Sequence, residues 1–161
     1  MGPHPDFRDW EIPRRARLNG FLLTALGVDD LDEDYAAVVE STALIAGVMG
    51  DDWPQGLTRA QNLIDIAWHQ KEFDKGRSFA WVIRDGGVGA APAYWGCAYV
   101  SPTWERGQAR TVFWFRTGHE ARGQTFRTAW DAWLAGPVWP RLRYSVYSMP
   151  ETVPGGASAA D

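Results

Sequence analysis

The sequence predicts one α/β domain of the α+β kind, a mixed and mostly antiparallel sheet of about five strands flanked by three helices. Three observations lead there. The 161 residues suffice for one well-buried core, since a domain typically takes roughly 100–200 residues. Short runs rich in aromatic and β-branched residues share the chain with stretches of helical spacing. Three of those runs follow one another with only turn-forming links between them, as in an antiparallel meander, whereas a helix separates the last pair.

The elements follow in order. Residues 1–18, rich in Pro, Asp and Arg, read as an extended arm. The apolar run FLLTAL at 21–26, between Asn19-Gly20 and Gly27, suits a buried strand. Asp29 and Asp30 offer caps for a first helix, in which Leu31, Tyr35, Val38, Val39 and Thr42 recur at helical spacing and which ends near Gly47 or Gly50. After the loop DDWPQG, Thr58 and Gln61 make a capping box for a second helix reaching Lys75. Leu63, Ile66, Ala67 and Phe73 are its expected inner face, and Asp65, Lys71, Glu72 and Asp74 its solvated one. Strands are predicted over 78–84, 93–100 and 109–116. A third helix over 125–134 puts Phe126, Ala129, Trp130, Trp133 and Leu134 on one side, and 142–148 alternates as the last strand. Residues 150–161 have the composition of a disordered tail, which leaves 19–149 as the domain.

Composition narrows the function. A formal charge of −4 argues against nucleic acid, whose binders carry a clustered basic face. No apolar stretch approaches the roughly 18–20 residues of a membrane span, and the N-terminus lacks the apolar core of a signal peptide, so a cytoplasmic location is expected. Cys97, the single cysteine, lies in an apolar run and reads as an inert buried thiol. His4, His69 and His119 are scattered, without partners at metal-ligand spacing, and no metal is expected. Ten tryptophans are the anomaly, suited to a bulky core, an aromatic-lined pocket or an interface.

A strand entering a short glycine-containing loop and then a helix can hold phosphate, because first-turn N–H groups lack intrahelical partners and lie at the positive end of the helix dipole. Arg116, Arg122 and Arg127 add three guanidinium groups there. The run Arg122-Gly123-Gln124-Thr125-Phe126-Arg127, followed by Thr128-Ala129-Trp130, resembles the acetyl-CoA pyrophosphate loop of the GNAT acetyltransferase superfamily, Arg/Gln-Gly-x-Gly-x-Gly/Ala. The element order from Phe21 to Ser148 matches that family as well. Asp52-Trp53-Pro54 and Gly96-Cys97-Ala98-Tyr99-Val100 are similar to segments of a group of actinobacterial GNAT-like proteins.

The resemblance implies acetyl-CoA as co-substrate, contacted by Phe115, Arg116, Thr117, Arg122, Gly123, Gln124, Thr125 and Arg127. It places the pantetheine edge at Phe113, Trp114, Phe115 and Arg116, where the fourth and fifth predicted strands are expected to splay. Thr125 and Arg127 stand where the family keeps small residues, so the loop is degenerate, and Thr125 is an alternative helix N-cap. The family continues past its fifth strand through another helix, which often supplies a tyrosine acid, and two more strands. On that pattern the chain is C-terminally truncated.

Acyl transfer to an amine needs a base or a water relay. Glu40 and His69 on the helices and Glu105, His119 and Glu120 in loops are the ionisable options, and Tyr99 and Tyr144 the phenols. Tyr144 and Tyr147 are an odd number of residues apart on one strand and face opposite ways. Trp53, Trp68, Trp104 and Trp114, with Tyr147, are candidate walls for an aromatic or cationic small molecule. Asp51 and Asp52 read as turn formers. The expected function is acetyl-CoA-dependent acyl transfer to a small-molecule amine. Two alternatives stay open: a CoA-independent enzyme or binding protein with a tryptophan-lined pocket, and a non-catalytic module that forms a homodimer through an unpaired last strand.

Overall fold

The computed structural model describes residues 2–87, 89 and 91–148, so the tail predicted over 150–161 lies outside the described residues. Six strands form one sheet in chain order. Strands β1 (Arg15–Leu18), β2 (Phe21–Ala25), β3 (Phe79–Asp85), β4 (Tyr94–Pro102) and β5 (Gln108–Phe115) run antiparallel in succession, and β6 (Arg143–Ser148) joins β5 in parallel as an edge strand. Helices α1 (Leu31–Glu40), the single turn α2 (Thr42–Ile45) and α3 (Arg59–Asp74) connect β2 to β3, and α4 (Gly123–Leu134) makes the crossover from β5 to β6.

The extra strand comes from the expected arm. Leu18 pairs with Phe21 across Asn19-Gly20, and Asn19 has the left-handed φ of 50° that a tight hairpin requires and asparagine tolerates. The rest of the arm packs on the domain. Phe7 and Ile12 are buried, Asp6 accepts from the Gly107 N–H and pairs with Arg106, and the Pro13 carbonyl accepts from the Trp81 indole.

Two helices depart from expectation. The first stops at Ser41, where the Thr42 hydroxyl turns back to the Val38 and Val39 carbonyls. Helix α3 begins at the expected Thr58–Gln61 capping box, yet it buries Asn62, Ile66, Glu72 and Phe73 and leaves Leu63 and Ala67 outside. Asn62 is held inward by a 2.8 Å hydrogen bond to Asp34, and Glu72 by a fork to Arg77. Local polar pairing therefore sets the rotation of α3, against its apolar spacing.

The sheet separates two apolar layers. On one face the arm and α4 cover Phe21, Trp81, Trp95, Phe113 and Phe115, with Phe126, Trp130 and Leu134 of α4 inward as predicted. On the other face α1, α2 and α3 cover Val82, Cys97, Tyr99, Val112 and Trp114. A bulge modifies this alternation. Ile83 pairs with Gly96 but Arg84 pairs with Tyr94, so Trp95 is extra, and Tyr94 and Cys97 arrive on the same face. Gly96 lets the strands meet there, because a Cβ would lie 2.0 Å from the Trp114 carbonyl oxygen.

Candidate active site

Beneath α1 and α3, against β4, lies a cavity of about 180 Å³. Trp53 from the loop after α2, and Trp68 and His69 from α3, form its sides with Tyr99 of β4. Asp34, Asn62 and Ile66 lie deeper, and Asp51 and Asp65 stand at more exposed positions. Sequence reasoning named Trp53, Trp68, His69 and Tyr99 for this chemistry, and the fold brings those four together. Trp114 is fully buried behind them: it packs on Trp53 and donates its indole N–H to the Tyr99 hydroxyl at 3.1 Å. Trp104 is fully exposed and takes no part.

The deep end holds a polar cluster that sequence reasoning missed. Asp34, which no sequence motif singles out, is 4% exposed. Its Oδ1 accepts from the Tyr94 hydroxyl at 2.5 Å and its Oδ2 from Asn62 at 2.8 Å, while the Cys97 sulfur sits 3.0 Å from the Tyr94 oxygen. Burial raises the Asp34 pKa, and the hydrogen bonds from Tyr94 and Asn62 oppose that rise. Burial also pushes Tyr94, Cys97 and Tyr99 well above their ordinary values, so all three keep their protons at neutral pH and Cys97 is an inert thiol. His69 moves the other way. Burial lowers it to about 4, partly offset by Glu72, so its imidazole is neutral at pH 7.

The remaining acid–base candidates lie apart from this cavity. Glu40 ends α1 and is ion-paired with Arg116, which also donates to the Tyr94 carbonyl. Tyr144 is on the opposite face, where its hydroxyl donates to the Pro140 carbonyl at 2.7 Å and burial raises its pKa. The fold therefore places it away from His69 and Tyr99, with which sequence reasoning grouped it. Glu105 accepts from Gln108 in an exposed turn. Tyr147 stands on β6 opposite Val112, and its side chain lies outside the described residues.

The loop between β5 and α4 departs from the expected phosphate cradle. The Gly118 N–H, after a left-handed turn with φ of 90°, donates to the Glu120 carboxylate, and the Thr117 N–H donates to the Ser41 hydroxyl. Helix α4 starts at Gly123 with Arg122 at the N-cap position, so Thr125 lies within the first turn and is not the cap. Arg116 is committed to Glu40, and Arg127 faces Asp131 at 3.9 Å. Arg122 stays at the loop mouth, its guanidinium 3.7 Å above the Trp95 ring and its Nε donating to His119. Slight burial and then Arg122 and Arg116 lower the His119 pKa. Gln124 and Thr125 are exposed on the first turn, and a Cβ on Gly123 would meet nothing within 4 Å. Strands β5 and β6 stay in register from Gln108 opposite Arg143 to Phe113 opposite Ser148. No splay opens along that stretch, and the expected pantetheine edge is left to Trp114, Phe115 and Arg116.

This topology has solved counterparts. The ribosomal L7/L12 α-N-protein acetyltransferase RimL, in complex with coenzyme A, superposes with a TM-score of 0.61 at 13% identity, over 75% of this chain and 67% of that one. An acetyltransferase from Thermus thermophilus gives 0.53 at 18% identity, over 76% and 72%. The fold is that of the GNAT acetyltransferases. The Microcin C7 self immunity acetyltransferase MccE, in complex with acetyl-CoA and AMP, matches this GNAT fold at 0.54 and 11% identity, over 68% and 58%. No protein-family model and no curated protein matches the sequence, so the likeness lies in architecture. Among the described residues no helix is long and apolar enough to cross a membrane, and no group of three or more His, Cys, Asp or Glu could hold a metal ion.

Proposed function

We propose that this GNAT-fold protein transfers an acyl group from acetyl-CoA to the amine of a small molecule. Gly123 is the observation that carries the reading. Its φ of −57° is ordinary helix and its Cβ direction is open, so neither backbone strain nor packing calls for glycine there. What glycine supplies is room for a pyrophosphate to approach the α4 first-turn N–H groups that follow Gly123, whose own N–H donates to the Glu120 carbonyl. Arg122 beside it offers a guanidinium already oriented on Trp95. The CoA-bound and acetyl-CoA-bound neighbours of this fold support the same co-substrate.

Acetyl-CoA, when bound, would supply the activated acyl group, the C–S bond breaking as the C–N bond forms and CoA leaving as a thiolate that takes its proton from water. The protein's part is to hold the amine in the cavity and remove its proton. His69, neutral at pH 7, accepts that proton at a ring nitrogen and passes it to water through the half-exposed mouth beside Trp68. Tyr99 keeps its own proton and stands with its ring centroid 5.3 Å from that of His69, the phenol nearest this base. Asp34, Tyr94 and Asn62 fix the floor on which the amine rests.

Calorimetric titration with acetyl-CoA tests the reading. The native protein should bind, and Gly123→Val should abolish binding while leaving thermal stability nearly unchanged, because the new side chain enters open space. No binding at millimolar acetyl-CoA, or equal binding by the variant, overturns it. A second reading, a small-molecule binding protein without CoA, is favoured by the Gly118 and Thr117 N–H groups, which Glu120 and Ser41 already satisfy. It predicts no acetyl-CoA heat from a protein whose cavity still binds a ligand.

A further inference from the structure

We infer that the cavity under α1 and α3 is a cation-selective site for a small organic ammonium carrying a flat apolar body. Its role as the acceptor site rests on the acyl-transfer reading; its binding chemistry does not. Size sets the first bound: about 180 Å³ compares with the engineered cavity of roughly 150 Å³ that admits benzene. The occupant is therefore about one ring with a short arm.

Charge sets the second. Three carboxylates, Asp34, Asp51 and Asp65, line the cavity, and no Lys or Arg does. Asp30, Glu33, Glu40, Glu72 and Asp74 each have a basic partner. Among the described residues none of the three cavity carboxylates is in an ion pair. Asp34 is the telling one, because its hydrogen-bond donors, Tyr94, Asn62 and the Cys97 thiol at 3.7 Å, are neutral. None of them brings a counter-charge, and burial disfavours the ionised carboxylate until a counter-ion stands beside it. A ligand cation supplies that counter-ion. His69 does not supply it, since burial keeps its imidazole neutral.

The walls agree with the charge. The faces of Trp53, Trp68 and Tyr99 suit an ammonium through their ring quadrupoles and a planar body through stacking. Trp68 is half-exposed although tryptophan usually buries more, which its position on this cavity explains. An anionic ligand would meet three acidic side chains, and a neutral one would bring none of them a basic partner.

The test uses the full chain without acetyl-CoA and reads tryptophan fluorescence and calorimetric heat. Phenethylammonium chloride should bind at least about ten-fold tighter than phenethyl alcohol, a difference of roughly 1.4 kcal/mol. Asp65→Asn combined with Asp51→Asn, both exposed, the asparagine oxygen still able to accept from the Trp53 N–H as Asp51 does, should cut that preference at least about three-fold, with melting temperature as the folding control. Equal affinity for the ammonium and the alcohol, no binding of either at millimolar concentration, or an undiminished preference in the folded double variant overturns the inference. Ammonium binding without acetyl-CoA binding would sustain this site and remove the acyl-transfer reading. Acetyl-CoA binding without ammonium selectivity would do the reverse.

Discussion

His69 and Asp34 share one cavity, and burial moves them in opposite senses. For His69 the folded pKa, about 4, lies below the unfolded value near 6.5. Between those values the unfolded chain binds more protons, so His69 lowers stability as pH falls through that window and has no effect above it. Asp34 and Asp65, whose pKa values are raised by burial, take up protons in the folded state and act with the opposite sign at acid pH. The two effects are separated by His69→Gln, which keeps the carboxylates. Urea unfolding at pH 7 and pH 5 should show the native protein losing on the order of 1–2 kcal/mol more than the variant on acidification. Equal losses would mean that His69 is solvated and that burial does not lower its pKa. Acid loss of acyl transfer with the same midpoint would tie the group to turnover.

At the scale of elements, the meander β3–β5, the α4 stripe and the capping box of α3 are legible in the sequence because each rests on contacts between near neighbours. β1 is less so, since only the Asn19-Gly20 turn announces it, and that turn reads equally well as a boundary of β2. The rotation of α3 is not legible at all, because Asn62 is drawn inward by Asp34, 28 residues away. Nor is the bulge at Trp95, although it decides the site by delivering Tyr94 and Cys97 to one face. The nearest sequence signal is Gly96 within an otherwise aromatic strand, since a glycine there marks a close backbone approach. Gly96→Ala would set a methyl 2.0 Å from the Trp114 carbonyl oxygen. With no flexible side chain to yield, β4 and β5 must part, at a cost of about 2–4 kcal/mol in chemical unfolding. The variant should also lose phenethylammonium affinity, because the same strands carry Tyr94 and Tyr99. A cost below about 0.5 kcal/mol would show that the strands do not meet as closely as described.

Across the whole molecule the sheet divides labour between its faces. The α4 face is an aromatic core in which Trp81, Trp130 and Trp139 are fully buried, and the α1–α3 face carries the cavity. Most of the tryptophan excess is thereby structural, and only Trp53 and Trp68 stand on the candidate site. The arm belongs to the first face. Phe7 meets Phe79 edge-on at 5.1 Å and Trp139 at 6.4 Å, and the ties from Asp6 to Arg106 and Gly107 hold it there. Removing the Phe7 ring should therefore act like a core truncation, although the residue lies in a segment whose composition suggests a loose end. Phe7→Ala is expected to cost about 3–4 kcal/mol in denaturant unfolding, within the range for buried Phe→Ala changes. A loose arm would give less than about 0.5 kcal/mol. Because the ring lies across the sheet from Asp34 and His69, the variant should keep its phenethylammonium affinity at temperatures where it stays folded. Loss of affinity in the folded variant would show that the two faces are coupled through the sheet.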